Sequence, residues 1–116
     1  MTRKRAERLT GYEIRRVPAR DGAVQFEAVQ GHERVASAEA PVEWLALKRL
    51  VNIVYGIHVR KVLDEYEGRC ARCRRVAQLH IHHRRYRSHG GTHQTQNLEP
   101  LCWECHRLVH QTEKSR

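Results

Sequence analysis

Four cysteines constrain this chain more than any other feature. They stand as two C-x2-C pairs, Cys70/Cys73 and Cys102/Cys105, with 28 residues between the pairs. Two thiolates separated by two residues converge from a knuckle or a first helical turn onto one ion. Two such pairs complete the tetrahedron that Zn2+ prefers, so the spacing predicts a structural zinc held by all four. A pair of disulfides is the other reading of the pattern. Nothing resembling a secretory leader precedes the cysteines, which predicts a reducing compartment, the cytoplasm, and favours the metal. A chain of 116 residues makes one compact domain short of apolar core, and such domains gain most from a metal staple.

Seven of the nine histidines lie within the same stretch, Cys70 to His110. Ala77 to His83 alternates, with Leu79 and Ile81 on one face and His80 and His82 on the other, which predicts a short strand ending on the double histidine His82-His83. Arg84 to Gln96 is polar and carries Gly90-Gly91, so it reads as a long exposed loop with a tight turn. The loop returns to a brief second strand at Asn97-Leu98, before Pro100. A final helix is expected from near Cys102. Along it Cys102, Cys105 and Val109 share one face, while His106 and His110, four apart, project together from the neighbouring one. One helix would thus serve two metal sites.

In this order and spacing, His82-His83, Gly90-Gly91, Asn97-Leu98 and Leu101-Cys102-x2-Cys105-His106-x3-His110 resemble the HNH endonuclease family, in its zinc-braced subtype with two C-x2-C pairs. The resemblance covers about 41 of the 116 residues. It implies an α+β protein whose C-terminal core is a ββα-metal, treble-clef-like fold, together with one catalytic divalent cation and hydrolysis of a nucleic-acid phosphodiester. Cleavage in the manner of the family leaves 5'-phosphate and 3'-hydroxyl ends. The position before the general base is Asp or His in the family, and here it is His82.

The chemistry suits these residues. A phosphodiester has a poor leaving group and an anionic shell, so its hydrolysis needs a base for water and a cation for the developing charge. His83 fits the base because imidazole titrates near neutral pH. His82, His106 and His110 offer three nitrogens to a cation and leave positions open for phosphate and water. Asn97 is expected to orient His83 by a hydrogen bond across the loop. An all-histidine set favours Zn2+, Ni2+, Mn2+ or Co2+, with Mg2+ workable where phosphate supplies most of the ligands. His106 and His110 also fit a second structural zinc, and His80, His89 and His93 read as solvent-facing or phosphate-touching rather than as ligands. Asn97 also fits a purely backbone role at its turn. His32 and His58 carry no assignment.

Charge points to the same partner. The formal net charge is +9, of which residues 67 to 116 carry +6, from 10 basic and 4 acidic side chains. Arg74, Arg75, Arg84, Arg85 and Arg87 are the candidate phosphate contacts, since a guanidinium forks onto phosphate. DNA is expected as the partner in preference to RNA. A homodimer, or a place in a larger phage-packaging or restriction assembly, is compatible with the small size. No stretch has the apolar length of a bilayer span, so no membrane association is expected.

The first 66 residues read as support for the site. Residues 1 to 9, MTRKRAERL, look like a flexible basic arm, and residues 10 to 66 like a β-hairpin followed by one or two helices. The hairpin turns at Asp21-Gly22 between Tyr12 to Val17 and Val24 to Ala28. A third strand is expected around Arg34 to Ser37, after a turn at Gly31-His32. Pro41 should open a helix through Leu45, Leu47, Leu50, Val51 and Val54, interrupted at Gly56 and resumed over Ile57 to Tyr66. The nuclease core is placed at residues 67 to 112 and a tail at 113 to 116. A zinc-dependent nucleic-acid-binding module without catalysis is the competing reading.

Overall fold

The computed structural model describes residues 1–114. Two layers precede the cysteine-rich region: a three-stranded antiparallel sheet, β1 (Glu13–Val17), β2 (Val24–Gln30) and β3 (Glu33–Ala40), and a long helix, α2 (Glu43–Glu65), laid against it. Each strand alternates enough to bury one face. Ile14, Phe26, Ala28 and Ala38 meet Ala46, Leu47, Leu50 and Val54 in the main core. The hairpin turns and the third strand are where the sequence places them.

Two expectations are corrected. The basic arm is a helix, α1 (Arg3–Thr10), capped by the Thr2 side chain on the Arg5 N–H at 3.2 Å and closed by Gly11 at φ 79°. Its apolar residues Ala6 and Leu9 are buried in the main core, which repays ordering an otherwise charged segment. The second correction is at Gly56, which does not interrupt α2: the helix runs unbroken for 23 residues. Leu47, Leu50, Val51, Val54, His58 and Val62 are all buried along it. A mid-helix glycine costs about 1 kcal/mol against alanine, less than that stripe returns. Pro41 precedes the helix, and Val42 is its N-cap.

After α2 the chain makes a knuckle, with Glu67 and Arg74 in the left-handed region at φ 57° and 65°, then the hairpin of β4 (Leu79–His83) and β5 (Leu98–Cys102), then α3 (Trp103–Lys114). This is the α+β, ββα-metal arrangement. The tail expected at 113–116 is helical through Lys114, and its last two residues lie outside the described ones. β5 is longer than expected and takes in Pro100, so Cys102 ends a strand and only Cys105 stands on the helix. The apolar cluster here is small: Cys70, Leu101 and Cys102 are its buried members. α2 packs on β5 and joins this unit to the first.

Candidate active site

The four thiols gather where the knuckle meets the strand-to-helix junction. Their sulfur atoms lie within 4.8 Å of one another, and Cys73 Sγ to Cys102 Sγ is 3.7 Å. A tetrahedron with ~2.3 Å Zn–S bonds has an edge of roughly 3.8 Å, close to the Cys73–Cys102 separation, so the set is compact enough to close on zinc. No disulfide is formed. Burial opposes ionisation of Cys70, but hydrogen bonding from the backbone of Cys73, Cys102 and Arg72 outweighs it and draws the pKa down to about 6. Cys105 is pushed the other way, to about 12, by burial and by the neighbouring thiols. Four sulfurs this close resist ionising together, and a dication removes that conflict.

On the other side of α3, His82, His106 and His110 place one nitrogen each within 4.8 Å of the others. His106 Nε2 and His110 Nε2 are 2.9 Å apart. Tyr86 puts its hydroxyl 3.1 Å from His110 Nδ1, which turns Nε2 toward the cluster. Burial first, then His110, His82 and His80, lowers the pKa of His106 and favours the neutral ring a cation requires. His80 stacks on His106 at 5.5 Å and stays outside the set. The donors are all nitrogen and borderline in softness, which suits Zn2+, Mn2+, Co2+ or Ni2+. They line a cavity of about 310 Å3 together with His83, Tyr86 and Arg87.

His83 is adjacent to the cluster in sequence but lies outside it. Its Nε2 is 3.0 Å from Nδ1 of His93, and its ring is stacked on Tyr55 at 5.7 Å and 15°. Burial, then Arg87 and His82, lowers the His83 pKa and keeps the ring neutral. Asn97 does not reach His83, contrary to expectation. Its Nδ2 donates to the Thr92 carbonyl at 2.7 Å and to the Arg85 carbonyl at 3.1 Å, and its Oδ1 accepts the Arg85 N–H at 2.8 Å. Every polar atom of that side chain is spent on closing the loop. Gly91 is required in the same closure, because a Cβ there would fall 1.8 Å from the Arg85 carbonyl oxygen.

The partner of His83 is therefore His93, which sequence reasoning placed at the surface and which is 5 % exposed. Its N–H donates to the Leu9 carbonyl on α1 at 2.8 Å, and its carbonyl accepts from His58 Nδ1 on α2, also at 2.8 Å. Tyr12 holds the far side of His58 at 2.9 Å. A signal for His58 was present: it continues the apolar stripe of α2 four residues after Val54, where a histidine must be buried and partnered. Burial first, then His83, Arg87 and His58, lowers the pKa of His93 to about 4.

The arginines divide. Arg84 is held by the buried Glu99 at 2.9 Å, the Gln96 carbonyl at 3.1 Å and the Tyr66 hydroxyl at 3.3 Å, and Arg72 takes the other oxygen of Glu99 at 2.7 Å. Arg75 is paired with Glu104 and faces Cys102 Sγ, while Arg85 donates to the His89 carbonyl at 2.6 Å. Arg74 is one of the two left-handed non-glycine residues of the knuckle. Arg87 alone of the five lines the cavity that holds the histidine cluster.

Two metal-competent clusters thus share α3, one completed by the knuckle and the end of β5, the other by His82 of β4. Residues 70–112 match the family model of the HNH endonuclease domain. The cysteine cluster fits the zinc-braced subtype. No curated protein and no solved structure matches the chain. HNH domains are in general nucleases that use divalent metals and act on nucleic acids. Among the described residues, no helix is long and apolar enough to cross a membrane.

Proposed function

We propose that the HNH domain is a divalent-metal-dependent endonuclease that hydrolyses DNA phosphodiester bonds, with residues 10–66 as the brace that sets the base of the reaction. The observation that carries this reading is one cavity, of about 310 Å3, lined both by the His82/His106/His110 cluster and by His83, which lies outside that cluster. His82, His106 and His110 would hold the cation, which when bound supplies positive charge to the phosphate and to the departing oxygen. Cys70, Cys73, Cys102 and Cys105 would hold the structural zinc.

His83 takes a proton from water, and His93 decides at which atom. His93 is neutral and hydrogen-bonded to His83 through Nδ1. When that nitrogen accepts the proton on His83 Nε2, His83 Nδ1 is left with a free lone pair. The opposite tautomer would leave Nδ1 already protonated and useless as a base. Once His83 gains its second proton, the same hydrogen bond stabilises the imidazolium. Arg87, at the cavity wall, draws the phosphate in.

Incubating metal-stripped protein with supercoiled plasmid and a panel of divalent metals tests the reading. Nicked or linear product with at least one metal is the expected result. Plasmid that is bound but never cut, with any metal, replaces it by a zinc-stabilised nucleic-acid-binding module.

A further inference from the structure

A second cavity, of about 280 Å3, opens on the other side of His83, and none of the steps above uses it. Its floor is one stripe of α2, with Trp44, Lys48, Asn52 and Tyr55 at successive three- and four-residue intervals. Its opposite wall is formed by His83, Arg87 and His93, of which His83 and Arg87 also line the metal cavity. The two hollows therefore have those two side chains as a common wall.

The lining is unusual for a surface that only meets water. Trp44 is 56 % exposed on a helix whose other stripe is core, and a large uncovered aromatic beside two cations is the composition of a stacking platform for nucleic-acid bases. Lys48 and Arg87 are exposed at its margins, while Tyr55 is stacked on His83 and so fixed in place. At about 280 Å3 the hollow is near the lower end of small-ligand pockets, ~300–1,000 Å3, which excludes a duplex and suits one base with its sugar. Its charge complements phosphate.

We infer that this cavity takes one unpaired nucleobase of the substrate strand, next to the phosphate that reacts beside His83, with the base stacked on Trp44 and the flanking phosphates met by Lys48 and Arg87. This inference rests on the nuclease reading. A base can enter only from single-stranded DNA or by leaving its partner, and unpairing costs a few kcal/mol in a duplex. The domain thereby prefers single strands, flaps or mismatched positions over intact duplex.

The test uses full-length, zinc-loaded Trp103→Phe protein, in which Trp44 is the sole tryptophan, without added catalytic metal. It is titrated with a short single-stranded oligonucleotide, with its duplex, and with single strands carrying one abasic position moved stepwise along the sequence. Expected are quenching of Trp44 emission by the intact strand and loss of quenching at one abasic position. A Trp44→Ala variant should bind the strand about tenfold or more weakly at unchanged melting temperature, with Trp44→Phe recovering part of the loss. Emission that saturating oligonucleotide leaves unchanged, or equal affinity of Trp44→Ala and its parent, overturns the inference while plasmid cleavage by the parent keeps the nuclease reading. A parent that neither binds any of these nucleic acids nor cuts plasmid overturns both.

Discussion

His83 and His93 face each other nitrogen to nitrogen, and the residues around them set what each substitution should do. His83→Ala should reduce cleavage by roughly 10²- to 10⁴-fold, the range for losing a general base, and keep both metals. His106→Ala should lose one metal per chain together with activity. Metal analysis and plasmid cleavage on the two variants separate the roles, and a His83→Ala defect rescued by excess metal would make His83 a ligand. His93 carries a pH consequence. Its pKa of about 4 in the folded protein lies below the ordinary histidine value of 6.5, so between these pH values the unfolded chain binds more protons. The stability it confers is complete above pH 6.5 and is lost as pH falls toward 4. His93→Gln should flatten the decline of urea stability over that window, and a parallel decline in both proteins would remove His93 as its source. The residues that local spacing brings into two clusters, the four cysteines and His82, His106 and His110, were legible in the sequence. His93 and Asn97 were not, because the path of the loop decides which of them meets His83, and that path depends on the distant Leu9 and His58.

At the scale of elements, the knuckle and the β5-to-α3 junction have little to hold them apart from sulfur. Among the described residues only Leu101 joins two cysteines as a fully buried member, with Ala71, Leu79 and Val109 partly buried against them; one leucine returns about 1.5–3 kcal/mol, far less than the entropy of ordering this segment. Cys102→Ser should therefore abolish zinc binding and melt the C-terminal half, read as lost helical circular dichroism with zinc at less than one per chain. Mild chelation should stop cleavage first and leave the thiolate-held ion in place; simultaneous loss of activity and helicity would merge the two sites into one. The strands and helices here were readable from alternation and motif spacing. α1 escaped because two apolar residues, Ala6 and Leu9, are too few for a periodic signal. Thr2 and Gly11, which cap its two ends, lie in a segment read only for its basic charge. Gly56 misled for the opposite reason: a local breaker was given more weight than the stripe running past it.

Across the whole molecule, charge is less available than the formula suggests. Arg72 and Arg84 are spent on Glu99, and Arg75 on Glu104, so the excess in the HNH domain is only partly free for phosphate. The salt dependence of duplex affinity should distinguish them. Arg87→Ala should reduce the slope of log affinity against log salt by about one, while Arg84→Ala should lower the melting temperature and leave the slope alone. Equal slopes for Arg87→Ala and the parent would return Arg87 to the solvated surface. The family match and its two clusters of metal-competent residues were apparent from the sequence, whereas the dependence of the HNH loop on the first 66 residues was not, since no motif records a backbone contact such as that of His93 with Leu9.

Cys105 and His106 are consecutive residues of α3, one belonging to each metal cluster. Ions held at the two clusters would then be coupled, because fixing the first turn of the helix through sulfur also fixes the azimuth of the imidazole beside it. Reciprocity follows: whatever factor zinc contributes to affinity at the histidines, an ion at the histidines must return to zinc, typically 5- to 150-fold for couplings of ~1–3 kcal/mol. Mn2+, which thiolates bind poorly, should accordingly slow the release of zinc to a chelator, and His110→Ala should erase that slowing. The brace and the reaction centre would then be two occupancies of a single cooperative device.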